Sequence, residues 1–188
     1  MSDNIFLKNA PKITFDEYMQ FNSDCRENMG DMIPIPVYRL LEYSLREELY
    51  QRFGKEEQID IFRKAGYRSG CYFAKHMLDI TLPMNEFVAE LQKCMAEMKI
   101  GVLRFEKIEE ESGKIVLTVS EDADCSGLPL LGETVCNYDE GFISGILSTY
   151  TGKPYMAVEV DCWATGDRVC RFCAEILSDK DGIALECK

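Results

Sequence analysis

The sequence predicts an α+β domain in which N-terminal helices pack on a mostly antiparallel sheet of about four strands. Three observations carry that reading. Apolar residues recur at three- and four-residue steps between Val37 and Met98, the spacing of a helix face. From Gly101 to Ser120 the pattern changes to alternating or continuous apolar runs split by Glu111-Ser112-Gly113, as in a β-hairpin. After Cys136 a helical stretch is followed by two runs rich in β-formers around a turn, so the order is helices, hairpin, helix, hairpin.

Residues 1–36 read as an arm. The segment ITFDEYMQF supports a short helix capped by Thr14, and Pro34 and Pro36 then enforce an extended approach. The arm carries Ile5, Phe6, Phe15, Met19 and Phe21, which need something to cover, either this domain or a dimer partner. A ligand-binding domain is expected over residues 37–178, with a tail at 179–188. The first helix runs from Val37 to Phe53, with Val37, Leu40, Leu41, Leu45, Leu49 and Phe53 in register and Gly54 closing it. A second spans Glu56 to Leu78, and its Gly66 and Gly70, four apart, let another backbone come close. The third, Met84 to Met98, has Pro83 just inside its start and presents Phe87, Leu91, Cys94 and Met98. Strands follow at Gly101–Ile108 and Lys114–Ser120. The polar loop EDADCSGLPLLGET then leads to Cys136 and to a helix whose N-cap is expected at Asn137, with Glu140 three residues on. Tyr155–Asp161 and Arg168–Leu177 form the last hairpin about a turn at Ala164–Asp167.

Composition narrows the function classes. At 188 residues with 46% apolar and 29% charged residues the chain suits one soluble globular domain. No run approaches the about 18 to 20 apolar residues that span a bilayer, and MSDNIFLKNAPK has no apolar signal core, so a cytoplasmic location is expected. The 33 acidic residues outnumber 21 basic ones, for a net charge of −12, and no Lys/Arg stripe is present to hold phosphates, which argues against direct nucleic-acid binding. Nine cysteines in such a compartment suggest thiols and metal rather than a disulfide framework.

Cys136, Glu159, Cys162 and Cys170 are a candidate metal site, since thiolates and a carboxylate are donors that Zn²⁺ accepts. Cys162 and Cys170 face each other across the hairpin, and Cys136 lies at the positive end of a helix, where a thiolate is favoured. Two other readings stay open on spacing alone: a Cys170-x-x-Cys173 redox pair, and buried thiols acting as small hydrophobes. On a strand an offset of three reverses the face, which leaves Cys173 outside any site. Gly152-Lys153 is followed by Pro154 where a phosphate-binding loop needs Ser or Thr, so nucleotide binding is rejected. Gly141 and Gly145 are read as tight helix packing. No Ser-His-Asp, Cys-His or paired-carboxylate arrangement stands out, and no catalytic residue is assigned. Tyr67, Phe73, His76, Phe87, Phe105 and Phe142 are candidate pocket residues, with core packing the default for the aromatics.

The segment Gly132–Cys173 resembles the 4-vinyl reductase domain family. The likeness rests on Cys136 before a helix carrying Gly141 and Gly145, then Glu159-Val160-Asp161-Cys162, Gly166-Asp167 and Cys170-Arg171-Phe172. The family includes sensory domains of aromatic-responsive regulators, in which the matching cysteine, glutamate and two cysteines bind zinc. The resemblance therefore implies a structural Zn²⁺ at Cys136, Glu159, Cys162 and Cys170, and a hydrophobic small molecule held between helices and sheet. It also implies an architecture shared with vesicle-tethering components. The expected function is a small-molecule sensor domain, homodimeric, acting through a separate regulatory protein because this sequence shows no ATPase or helix-turn-helix segment. The alternatives are an enzyme of tetrapyrrole or vinyl-group reduction, for which no nicotinamide or flavin motif is present, and a scaffold subunit.

Overall fold

The computed structural model describes residues 13–20, 29–109 and 111–177 and divides the chain into two units, residues 1–34 and 35–188. In the first, α1 (Phe15–Met19) starts with a capping box: Thr14 Oγ1 accepts the Glu17 N–H at 3.3 Å and Glu17 Oε2 accepts the Thr14 N–H at 2.7 Å. Much of the expected arm and all of the 179–188 tail lie outside the described residues.

The second unit runs α2 (Ile35–Phe53), α3 (Lys55–Met77), α4 (Met84–Glu97), β1 (Val102–Glu109), β2 (Lys114–Ser120), α5 (Asn137–Thr151), β3 (Tyr155–Asp161), a short 3₁₀ turn (Trp163–Thr165) and β4 (Cys170–Ile176). The strands form one antiparallel sheet in the order β1-β2-β4-β3. This is the expected α+β class. Alternation along each strand puts Leu103, Ile115, Leu117, Val119, Ala157, Phe172 and Ala174 on one buried face. Helix α5 packs beside β3, and α4 beside β1.

Helices α3 and α5 make the most extensive contact in the fold, and four glycines permit it. A Cβ on Gly66 would stand 2.0 Å from the Tyr138 carbonyl oxygen, and one on Gly145 would stand 2.2 Å from that of Tyr67. Gly70 and Gly141 meet backbone at 2.1 and 2.0 Å in the same way. The two main chains touch, as the glycine spacings predict.

Strand β3 is an edge, and α5 closes it. The N–H groups of Tyr155, Ala157 and Glu159 donate to Ser148 Oγ (2.9 Å), Ser144 Oγ (2.8 Å) and Glu140 Oε1 (2.9 Å). Residues 140, 144 and 148 fall on one helix face, so a single polar stripe satisfies a whole strand edge that would otherwise invite pairing with another chain.

Helix α2 docks by its polar side. Tyr38 Oη donates to Asp124 Oδ1 (2.6 Å), Arg39 Nε to the Ala123 carbonyl (2.7 Å), and Tyr43 Oη to the Asp124 carbonyl (3.0 Å). Arg46 donates to the Val135 carbonyl (2.7 Å) and Asn137 Oδ1 (3.0 Å), with its guanidinium 4.4 Å from the Phe62 ring centroid. The apolar stripe that marks α2 as a helix therefore points outward: Leu40 is 72% and Leu41 70% exposed, with Val37, Leu45 and Phe53 also exposed.

Two helix starts differ from expectation. Cys136, not Asn137, is the N-cap of α5; Asn137 is its first residue and donates from Nδ2 to Glu140 Oε2 at 3.3 Å. The Cys136 N–H is taken by Glu159 Oε2 at 3.0 Å, so a carboxylate from β3 does the work expected of an N-cap side chain. Pro83 stands at the N-cap of α4, one residue before the helix proper.

Candidate metal centre and cavity

Four loop and element ends converge on one buried point. Cys125 comes from the loop after β2, Cys136 from the N-cap of α5, Cys162 from the residue after β3 and Cys170 from the start of β4. All four are free thiols and fully buried, and their sulfurs lie within 4.8 Å of one another. The Cys136–Cys162 and Cys136–Cys170 Sγ separations are 3.8 and 3.7 Å. A tetrahedral ion with metal–sulfur bonds of about 2.3 Å needs sulfurs about 3.8 Å apart. Cys125 Sγ stands closer, 3.1 Å from Cys170 Sγ. The donor set and spacing fit a closed, four-coordinate thiophilic site that could hold a metal ion.

The cluster is electrostatically one group. Sulfur donors from Cys125, Cys136 and Cys170 hold the Cys162 thiol well below the ordinary range, whereas Cys136 and Cys170 are pushed up, first by Cys125. Such a set releases protons when it takes a cation. The surroundings fix its geometry. Thr165 Oγ1 accepts the Cys162 N–H at 3.1 Å, and Trp163 Nε1 donates to the Leu128 carbonyl at 3.0 Å, tying the 3₁₀ turn to the loop that carries Cys125. That loop is held from the other side by α2 through Tyr38, Arg39 and Tyr43.

Of the residues expected to bind metal, Cys136, Cys162 and Cys170 come together. Glu159 stands beside them. Its Oε2 accepts from Cys136 N, its Oε1 is buried without a hydrogen-bond partner, and burial pushes its carboxyl up to about 8. Cys173 points to the other sheet face, half-buried, as the strand offset requires. Cys125 is the residue sequence reasoning missed. The available signal was a cysteine inside the otherwise polar loop Glu121–Gly127.

The expected pocket residues fall in different places. Phe73 packs edge-on to Phe142 with centroids 5.1 Å apart, and Phe87 stacks on Tyr150 at 3.8 Å, so these rings fill the core. Phe105 is partly buried against that core, and His76 is exposed with its ring 4.2 Å from that of Tyr72. Tyr67 lines a cavity of about 650 Å³ where α3 and α5 meet β3 and β4. Its apolar lining includes Pro154, Met156, Val158, Ile176 and Leu177, with Ser144 and Cys173 beside them. The charged groups at its rim are already engaged: Arg63 Nε donates to Glu140 Oε2 (2.6 Å) and Lys64 Nζ to Asp60 Oδ2 (2.6 Å).

Comparison with known proteins locates this geometry. Residues 115–176 match the vinyl-4-reductase (V-4-R) domain. The matched stretch begins in β2, ends with β4 and contains the segment Gly132–Cys173 on which the 4-vinyl reductase resemblance rests. Among solved structures, the phenol-responsive sensory domain of the transcription activator PoxR, bound to phenol, is similar over 78% of this chain and 76% of its own, with a TM-score of 0.57 and 17% identity. A vinyl-4-reductase family protein from Methanocaldococcus jannaschii is similar over 90% of this chain and 99% of its own (TM-score 0.57, 16% identity). Subunit 3 of a trafficking protein particle complex from Naegleria fowleri, covalently bound to palmitic acid, is similar over 77% and 95% (TM-score 0.61, 12% identity). The chain thus shares a fold used by a small-molecule sensory domain. Among the described residues no helix is long and apolar enough to cross a membrane.

Proposed function

We propose that this protein is a small-molecule sensor domain that takes a hydrophobic or aromatic ligand, with a structural zinc ion at the cysteine cluster. The observation that carries the reading is the 650 Å³ cavity beside the glycine-tight α3/α5 pair, with an apolar lining and few free polar groups. Binding sites for such ligands have that character. The likeness to a phenol-responsive sensory domain supports the ligand class. A closed four-donor site leaves the ion no open position, so ligand binding needs no metal contact. The reading includes a homodimer formed through the outward apolar face of α2, with residues 1–36 contributing, and a separate partner protein that receives the signal in the cytoplasm.

The test is native mass spectrometry of the purified protein followed by calorimetric titration with phenol and with a medium-chain fatty acid. A co-purified apolar mass, or saturable binding that Val158→Asp abolishes, is the expected result. Val158 lies on the sheet's outer face, so the substitution leaves the core intact. Absence of binding to either probe, together with turnover of a pyridine nucleotide, would replace the sensor reading with an enzymatic one.

A further inference from the structure

The four cysteines do not exhaust the donors at this end of the fold. Asp122, just after β2, and Asp139, in the first turn of α5, each bring a carboxylate oxygen within 4.8 Å of the other and of Cys136 Sγ. Asp122 is 3% exposed. Its Oδ1 accepts the N–H groups of Asp124 (2.7 Å) and Cys125 (3.3 Å), but its Oδ2 is buried with no partner, and so is Oδ2 of Asp139.

No positive side chain compensates them. Arg39 is directed to the carbonyls of Asp122, Ala123 and Ser126, and Arg46 to Val135 and Asn137. Among the described residues neither aspartate forms an ion pair with Lys or Arg. Two carboxylates that face each other and a thiolate, each with a buried and unsatisfied oxygen, are costly unless something positive joins them.

We infer that Asp122, Asp139 and Cys136 bind a second divalent cation, with Cys136 Sγ shared between it and the ion of the cysteine cluster. Two carboxylates and a thiolate suit a borderline ion such as Zn²⁺. With bonds of about 2.0–2.3 Å, tetrahedral donors lie about 3.3–3.8 Å apart, so these three need close by only about 1 Å. The two positions differ in kind. The cysteine site is filled by four protein donors, whereas three donors leave the second ion a coordination position for water or a small anion. The inference rests on the cysteine cluster holding the first ion.

The experiment is Co²⁺ titration of the anaerobically prepared, metal-stripped full chain, followed by absorbance, with metal per chain measured after Zn²⁺ loading and desalting. Wild type should take about two equivalents in two phases, the first carrying the intense thiolate charge-transfer bands. Asp139→Asn, which keeps the side chain's shape, should keep the first phase and lose the second, falling to about one equivalent, and Asp122→Asn should do the same. Near-ultraviolet circular dichroism checks that each variant is folded. A wild type that saturates at one equivalent overturns the second site and leaves the first standing. Two equivalents in a folded Asp139→Asn also overturn it. A wild type that binds none overturns both sites.

Discussion

Placing a methyl group on Gly66 tests the α3/α5 contact directly. The added Cβ would meet the Tyr138 carbonyl oxygen at 2.0 Å, against an ordinary contact of 3.4 Å, so the helices must part there by about 1.4 Å. The obstruction is backbone, which no rotamer change relieves. Overpacking of this kind costs typically about 1–3 kcal/mol, and the upper end applies where main chain meets main chain. Alanine gains about 1 kcal/mol of helix propensity over glycine, leaving a net loss of about 2 kcal/mol. For a domain of this size each kcal/mol lowers the melting temperature by about 2–4 °C, so Gly66→Ala should melt about 4–8 °C below wild type. Gly145→Ala, whose Cβ meets the Tyr67 carbonyl oxygen at 2.2 Å, should behave alike. The double variant should lose less than the sum, because one separation of the helices accommodates both methyls. Calorimetry on protein of matched metal content measures this. A melting temperature unchanged or raised in Gly66→Ala would refute the close approach.

Cys162→Ala should lose bound metal and destabilise the domain, whereas Cys173→Ala should keep the metal and cost about 1 kcal/mol; metal per chain with thermal melting separates them, and a full complement in Cys162→Ala would count against the cluster. Cys125→Ala and Glu159→Gln decide the fourth ligand: the geometry expects metal loss in the first and retention in the second, and the reverse would favour the glutamate set. Burial pushes the Glu42 carboxyl up to about 8, with Asp124 adding to the rise and Arg46 opposing it. The folded state then holds a proton that the unfolded chain releases above its ordinary value of 4.5. Stability from this group is therefore lost as pH rises from about 4.5 to 8, so Glu42→Gln should be more stable than wild type at pH 8, and the difference should vanish near pH 4.5; a difference that grows on acidification would contradict the burial. Leu40→Lys with Leu41→Lys should convert the homodimer to monomer in light scattering without lowering the melting temperature of the monomer, and an unchanged mass would remove α2 from the dimer contact.

Local pattern made the elements legible, and long-range contact decided what remained hidden. Strand β2 and strand β3 fall at the positions expected from their apolar runs, because alternation and turn residues are local properties. The glycine pairs of α3 and α5 announced a close approach before either helix had a partner. By contrast, the periodicity of Val37, Leu40, Leu41 and Leu45 establishes a helix but not which face docks. That was settled by hydrogen bonds from Tyr38, Arg39, Tyr43 and Arg46 to groups 81 to 91 residues away. Cys125 was illegible for the same reason, since its sulfur neighbour Cys170 lies 45 residues on. The core aromatics were correctly placed on inner faces, but a core face does not reveal whether rings enclose a space or fill it. Here Phe73, Phe87 and Phe142 pack on one another or on Tyr150, and the cavity opens instead beside the β3 edge.

The same contacts give the metal end and the outer helix a common dependence. The loop from Asp122 to Ser126 carries Cys125 and Asp122, and its carbonyls accept hydrogen bonds from Arg39 and Tyr43 of α2. The α5 N-terminus adds Cys136 and Asp139, while Arg46 of α2 reaches the neighbouring Val135 and Asn137. Few other polar contacts anchor α2, whose outward face is apolar, so its hold on the domain passes largely through the segments that present the candidate ligands. A cation that binds only the folded arrangement stabilises those segments by mass action. Whatever covers Leu40 and Leu41 stabilises the same docked position of α2, and by linkage each binding event must favour the other to the extent that both require it. The charged inner face of α2, which looks wasteful in a core helix, is what joins the buried site to the exposed surface.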